Sequence, residues 1–254
     1  DILGKTANLP VSDLLGGTYG EDFVLYRAIS QQSPEEMAKN VTGYREEGYR
    51  RFQLKVGGDP DVDIERIRAV SAKLEPGDKL VADANTGWKQ HEALQVADAI
   101  ADLGKQTGIR LTFEQPCLSY HECLAVRKHT DLPFVLDECM DSIGALLQGY
   151  HDHAMDMINL KISRFGGLTR ARQARDLCVS LGLPMNVEDS WGGEITTAAI
   201  AHLAHSTPSA FQFQSSAFHE YATTQIATGA PVVDNGTMTA SDAPGLGVEP
   251  ILDA

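Results

Sequence analysis

From residue 22 onward the chain alternates short runs rich in β-branched and aromatic residues with helical patterns of roughly a dozen residues. That alternation is the mark of repeated βαβ units around a parallel sheet, and it constrains the fold more than any other feature. Eight strands are expected, near 23–29, 51–56, 79–84, 109–114, 134–138, 156–162, 184–188 and 210–215. The first helix opens on Ser33-Pro34-Glu35-Glu36, with serine at the N-cap, proline at the first helical position and acidic residues against the positive helix end. Six more helical patterns lie at 60–74, 89–103, 119–129, 142–150, 168–181 and 193–205. Seven helices between eight strands make an α/β fold of the modified TIM-barrel type, (β/α)7β, and a single barrel of about 250 residues is ordinary. The barrel is expected over residues 22–219, preceded by a connector at 1–21 and followed by an irregular segment rich in Gly, Pro, Asp and Thr at 220–254.

A net charge of −14 argues against a nucleic-acid or anionic-membrane surface, because both require clustered Lys and Arg. A small-molecule partner is expected instead. Cys117, Cys123, Cys139 and Cys178 show no C-x-x-C spacing and lie in or beside apolar runs, which reads as free thiols in a reducing cytoplasm. No apolar run approaches the ~18 residues of a membrane span, and no signal peptide precedes the first strand. Asp1-Ile2-Leu3-Gly4-Lys5 begins in mid-pattern, so a missing upstream segment is expected.

The chemistry-bearing residues sit at strand ends. Asp83, Glu114 and Asp137 end the third, fourth and fifth strands, about one strand-helix unit apart. In a parallel barrel such ends converge on one mouth, and three hard oxygen donors without His or Cys favour Mg2+. Lys55 ends the second strand and Lys161 the sixth. Partial burial or a neighbouring cation lowers a lysine pKa from its reference of about 10.4, which turns it into a general base. The competing reading makes each lysine an ion-pair partner of one of those acids.

The ordered set Gln53-Leu54-Lys55-Val56-Gly57, Asp83-Ala84-Asn85, Glu114-Gln115-Pro116, Leu136-Asp137-Glu138 and Leu160 to Thr169 resembles the barrel domain of the enolase superfamily, in the muconate-lactonizing-enzyme-like part of the mandelate racemase group. The resemblance covers almost the whole chain. It implies that Asp83, Glu114 and Asp137 bind Mg2+, that the metal holds a substrate carboxylate, and that Lys55 and Lys161 flank the α-carbon. One lysine would remove the α-proton, leaving an ene-diolate that the metal stabilises. Glu138 and Asn85 are implied as supporting residues that orient a ligand or a lysine. The family often carries Lys-x-Lys at the second strand's end, where this chain has Gln53, so Lys55 lacks a neighbouring ammonium. An amino-terminal capping domain of α+β type and assembly into homo-oligomers are further implications of the resemblance.

Specificity lies in the loops. Trp191 follows Glu188 and Asp189 at the end of the seventh strand and could hold a cationic nitrogen by charge and by cation-π contact; alternatively it packs the loop. With Tyr26 on the first strand and Phe218-His219-Glu220-Tyr221 beyond the eighth, it resembles members acting on proline derivatives. Trp191, Asp189 and Tyr26 are therefore the candidate substrate-binding residues. Dehydration of cis-3-hydroxy-L-proline leads, ahead of 2-epimerisation of hydroxyproline betaine or proline betaine. Another racemase or cycloisomerase of the subgroup and a noncatalytic metal-binding barrel are the remaining alternatives. Dipeptide or N-acylamino-acid racemisation ranks low, because the eighth strand ends in Gln212-Phe213-Gln214-Ser215 and not in an acid. His151 and His153, and His202 and His205, are expected to be surface or internally satisfied histidines, since neither pair ends a strand.

Overall fold

The computed structural model describes residues 1–252. Its main sheet has eight strands in chain order: β1 (Arg27–Ile29), β2 (Arg51–Lys55), β3 (Lys79–Asp83), β4 (Arg110–Glu114), β5 (Phe134–Leu136), β6 (Met157–Lys161), β7 (Met185–Glu188) and β8 (Gln212–Ser215). The chain divides into two compact units, one of residues 26–158 and one of residues 1–25 with 159–254.

In the first unit, β1 to β5 pair in parallel, and the register places Lys55 opposite Asp83 and Asp83 opposite Glu114. Side chains at one register level of a parallel sheet point to the same face, so these three residues form a row at the carboxyl ends of their strands. The helix Pro34–Glu46 starts with a capping box in which Ser33 accepts from the Glu36 N–H, as its sequence foretells. Helix Pro60–Ser71 starts at Asp59, whose carboxylate accepts from the N–H groups of Asp61 and Val62. The turn after Lys55 is fixed by Asp63, which is fully buried and accepts hydrogen bonds from Gly57, Gly58 and the Trp88 indole. Gly57 has φ +99, and a Cβ there would lie 2.1 Å from the Ala84 carbonyl oxygen, so only glycine fits. Behind the row, the core holds Phe113 at 0% exposure, stacked on Trp88 at 5.5 Å and edge-on to Phe134 at 6.0 Å.

The second unit contains the end of β6, the helix Leu168–Leu181, β7, the helix Glu194–His205 and β8. β7 pairs with β8 through a register shift between Met185 and Asn186. Arg175, 4% exposed, donates to the Leu15 carbonyl and to the Ser206 carbonyl and hydroxyl, binding residues 11–15 to the long helices. His202 is fully buried; its Nδ1 accepts from the Ser12 N–H at 3.1 Å, so Nε2 carries the proton and donates to the Leu246 carbonyl.

The structure differs from the sequence expectation in four places. The run at 23–29 is broken: Phe23–Val24 pairs antiparallel with Thr237–Met238, and only Arg27–Ile29 joins the main sheet. The 220–254 segment is not irregular throughout, because it contributes two small antiparallel sheets whose strands are two residues long, too short to show a period. The helix expected at 89–103 ends at Ile100, and a separate turn of helix covers Leu103–Thr107 before Gly108, at φ 77, closes it. A short helix at Ile162–Phe165 follows β6 directly.

Two outcomes are expected. Phe113→Ala should cost about 3–5 kcal/mol of stability in urea titration, the range for emptying a buried aromatic site. Burial holds the His202 pKa below its ordinary 6.5, so the unfolded chain binds the additional proton. Stability should therefore fall as pH drops through about 6.5, and the difference in thermal midpoint between pH 7.5 and 5.5 should shrink in His202→Gln.

Candidate active site

The strand-end row of the first unit is built from charges that the fold takes out of water. Asp83 and Glu114 are 0% exposed and Asp137 is 1% exposed. An isolated buried carboxylate is costly, so each needs a cation or hydrogen-bond donors. The Lys55 ammonium lies 2.5 Å from Asp83 Oδ2. The Gln53 amide, two residues below Lys55 on the same face, donates to both oxygens of Glu114 at 3.3 and 3.4 Å. Asp83 Oδ1 accepts from the Asn85 N–H, and the Asn85 amide donates to Glu138 Oε1 at 3.1 Å. Burial, with the charges of Asp137 and Asp83, pushes the Glu138 carboxyl above the usual range. Its Oε2 is buried and has no hydrogen-bond partner among the described residues.

This donor set fits a divalent cation. It offers carboxylate oxygens only, it concentrates negative charge in a buried place, and a lysine ammonium already stands against one of the acids as a monovalent substitute. Among the described residues, no three His, Cys, Asp or Glu side chains enclose a ready-made ion cage; Lys55 and Gln53 take up the facing oxygens of Asp83 and Glu114. The opposite end of the same strands carries the other sign: Arg51, Lys79 and Arg110 are in register there. Burial and the two arginines push Lys79 down to about 8.

In the second unit, Lys161 ends β6 at 8% exposure and faces Glu188, which ends β7, at 3.6 Å. Ser163, two residues after Lys161, is clamped by Asp189, which accepts from the Ser163 N–H at 3.0 Å, from its hydroxyl and from the Ser190 N–H. Asp189 thus braces the turn that carries Lys161. One level below lie buried amides: Asn186 donates to Asn159, and Gln214 stands in register with Asn186. Trp191 is 63% exposed and forms a three-ring cluster with Phe218 at 5.7 Å and Tyr221 at 6.0 Å.

The expected residues are therefore distributed unevenly. Lys55, Asp83 and Glu114 stand in one row, and Asp137 follows the last residue of β5. Tyr26 lies at the other end of its strand, immediately before β1 and level with Arg51, and is buried. Sequence reasoning missed Glu188 as the partner of Lys161, although it obeys the same strand-end rule as the other acids. Gln53 stood out only as the residue in place of a family lysine and Gln115 not at all, because an amide becomes informative only once its partners are known.

The family model of the Enolase C-terminal domain-like family matches residues 36–254. The chain is 54% identical over its whole length to the cis-3-hydroxy-L-proline dehydratase of Roseibium aggregatum, of which it spans 67%. Among solved structures, a mandelate racemase/muconate lactonizing enzyme from Roseovarius nubinhibens ISM is similar with TM-score 0.92 and 43% identity, over 99% of this chain and 68% of that one. A second enolase-superfamily member from the same organism, complexed with magnesium, is similar with TM-score 0.90 and 35% identity, over 100% of this chain and 68% of that one. The eight-stranded α/β fold, the strand-end acids and these likenesses agree: the chain belongs to the Enolase C-terminal domain-like family and is a lyase or isomerase of the enolase superfamily.

Proposed function

We propose that this protein removes the α-proton of a small carboxylate substrate and, as its principal reaction, dehydrates cis-3-hydroxy-L-proline. The observation that carries the proton abstraction is the row of Lys55, Asp83 and Glu114, a cation and two buried carboxylates in adjacent register. The choice of substrate rests on the 54% identity to a protein named for that reaction.

In this reading Asp83, Glu114 and Asp137 would hold Mg2+, with Glu138 and Asn85 hydrogen-bonded beside them. When bound, Mg2+ supplies positive charge for the substrate carboxylate and for the negative charge that grows on it as the α-proton departs. The chain's own residues do the proton work. In the cis isomer the hydroxyl and the carboxylate share one face of the ring, so the α-hydrogen lies on the opposite face from the hydroxyl. The reaction then needs a base on one side and an acid on the other, and Lys55 and Lys161 are assigned those tasks. One lysine, neutral, takes the α-proton at Nζ. The C–H electron pair forms the ring double bond and expels the 3-hydroxyl, which leaves as water with a proton from the other lysine's ammonium. The resulting enamine tautomerises to the cyclic imine.

Each of the two lysines stands against a buried carboxylate. Lys161 stands 3.6 Å from buried Glu188, and the donor role is assigned to it. Lys55 stands 2.5 Å from Asp83, and the base role is assigned to it, with its proton acceptance coming once Asp83 is engaged by the cation. The Trp191, Phe218 and Tyr221 rings offer π-faces to a ring ammonium. Cys117, Cys123, Cys139 and Cys178 are free thiols, which suits a cytoplasmic enzyme.

The test is a proton NMR time course in D2O with Mg2+ and cis-3-hydroxy-L-proline, hydroxyproline betaine or proline betaine. Loss of the α-proton together with a new imine product is expected for the first substrate. Deuteration with inversion of the betaines would establish epimerisation in its place, and silence on all three would remove the proline assignment. Lys55→Ala and Lys161→Ala should each lower the rate by about 10²–10⁴-fold, the contribution of a positioned acid or base. Trp191→Ala should raise KM about 5- to 30-fold with little change in kcat, as expected for a cation-π contact of about 1–2 kcal/mol.

A further inference from the structure

Gln115 is a fully buried residue with a hydrogen-bond inventory out of proportion to a core amide. Its backbone N–H donates to the Val135 carbonyl at 3.0 Å and its carbonyl accepts from the Thr86 N–H at 3.0 Å. Its side-chain Oε1 accepts from the Asp137 N–H at 2.8 Å and from the Cys139 thiol at 3.3 Å. Its Nε2 donates to the Cys117 carbonyl at 3.0 Å and to the Cys123 sulfur at 3.4 Å. Both amide hydrogens and both oxygen lone pairs are thereby engaged.

The backbone makes this arrangement possible at some cost. Gln115 has φ 31, a left-handed conformation that a residue with a Cβ adopts only when its surroundings hold it there. The turn swings the side chain across the end of β4 toward the segment that follows β5. Strand β5 stops at Leu136, and just beyond it the N–H of Asp137 is met by the side-chain oxygen of Gln115.

The geometry points to Gln115 as a positioning residue: its buried amide adds one rung to the β4–β5 ladder and fixes the backbone from which Asp137 presents its carboxylate to a divalent cation. The inference rests on the reading of Asp137 as a ligand. Gln115 joins three places at once, namely Glu114 by the chain itself, the loop after Asp83 through Thr86, and Asp137 through Oε1. Residues that orient metal ligands in this way are typically worth 10- to 100-fold in metal affinity.

The experiment is calorimetric titration of Mn2+ into the folded protein and four variants, with thermal unfolding of each metal-free form. Asp137→Ala tests the underlying reading; if it binds Mn2+ as tightly as the parent, Asp137 is no ligand and the inference falls with it. Given a weakened Asp137→Ala, Gln115→Leu should bind about 10- to 100-fold more weakly. Cys123→Ala, which removes a partner on the far side of the amide, should lower the unfolding midpoint and leave the affinity unchanged. Gln115→Glu keeps an oxygen toward Asp137 and should retain at least the parent affinity. The inference is overturned if folded Gln115→Leu binds like the parent, or if Cys123→Ala weakens binding as much as Gln115→Leu does. Should Gln115→Leu fail to fold, Gln115→Glu decides: retained affinity supports the positioning role, and a loss matching that of Asp137→Ala refutes it.

Discussion

The contact between the Lys55 ammonium and the buried Asp83 carboxylate is the interaction around which the first unit's strand ends are arranged. A carboxylate taken fully out of water must be matched by positive charge or by several donors, and a fold that buries two of them side by side in register has created a strong local demand for a cation. Much of the surrounding structure serves that demand. Asp63 clamps the turn after Lys55, Gln53 gives its amide to Glu114, and Gln115 carries the ladder past the end of β5 to Asp137. The opposite sign collects at the other ends of the same strands, where Arg51, Lys79 and Arg110 share a register level.

The second unit carries its own lysine. Lys161 faces the buried acid Glu188, and its turn is tied down by Asp189 through Ser163. Both lysines thus stand against buried carboxylates, Lys55 at 2.5 Å from Asp83 and Lys161 at 3.6 Å from Glu188.

Much of this was legible in the sequence, for a physical reason. Parallel strands buried on both faces need continuous apolar runs, so a charged residue closing such a run stands out. Lys55, Asp83, Glu114, Asp137 and Lys161 were all placed at or beside strand ends by that rule, and Glu188 obeys it as well. The rule says nothing about residues that act through hydrogen bonds. Gln115 sits one position beyond Glu114 in what reads as an ordinary turn, and its contacts span from Thr86 to Cys139. Tyr26 shows a limit of such runs: 23–29 looks like one strand, but its first half pairs with Thr237–Met238, which leaves Tyr26 at the foot of β1 and not within it. Two-residue strands in the tail carry no periodicity to betray them.

The most direct test of the central claim, that the buried strand-end acids are kept for a divalent cation, is the thermal midpoint of the protein in Mg2+ and in chelator, alongside Asp83→Asn. Binding at about 100-fold above Kd would add about 2.7 kcal/mol to the native state, or several degrees. The account predicts a rise of that order for the parent protein and none for Asp83→Asn. Equal midpoints for the parent in Mg2+ and in chelator would contradict it.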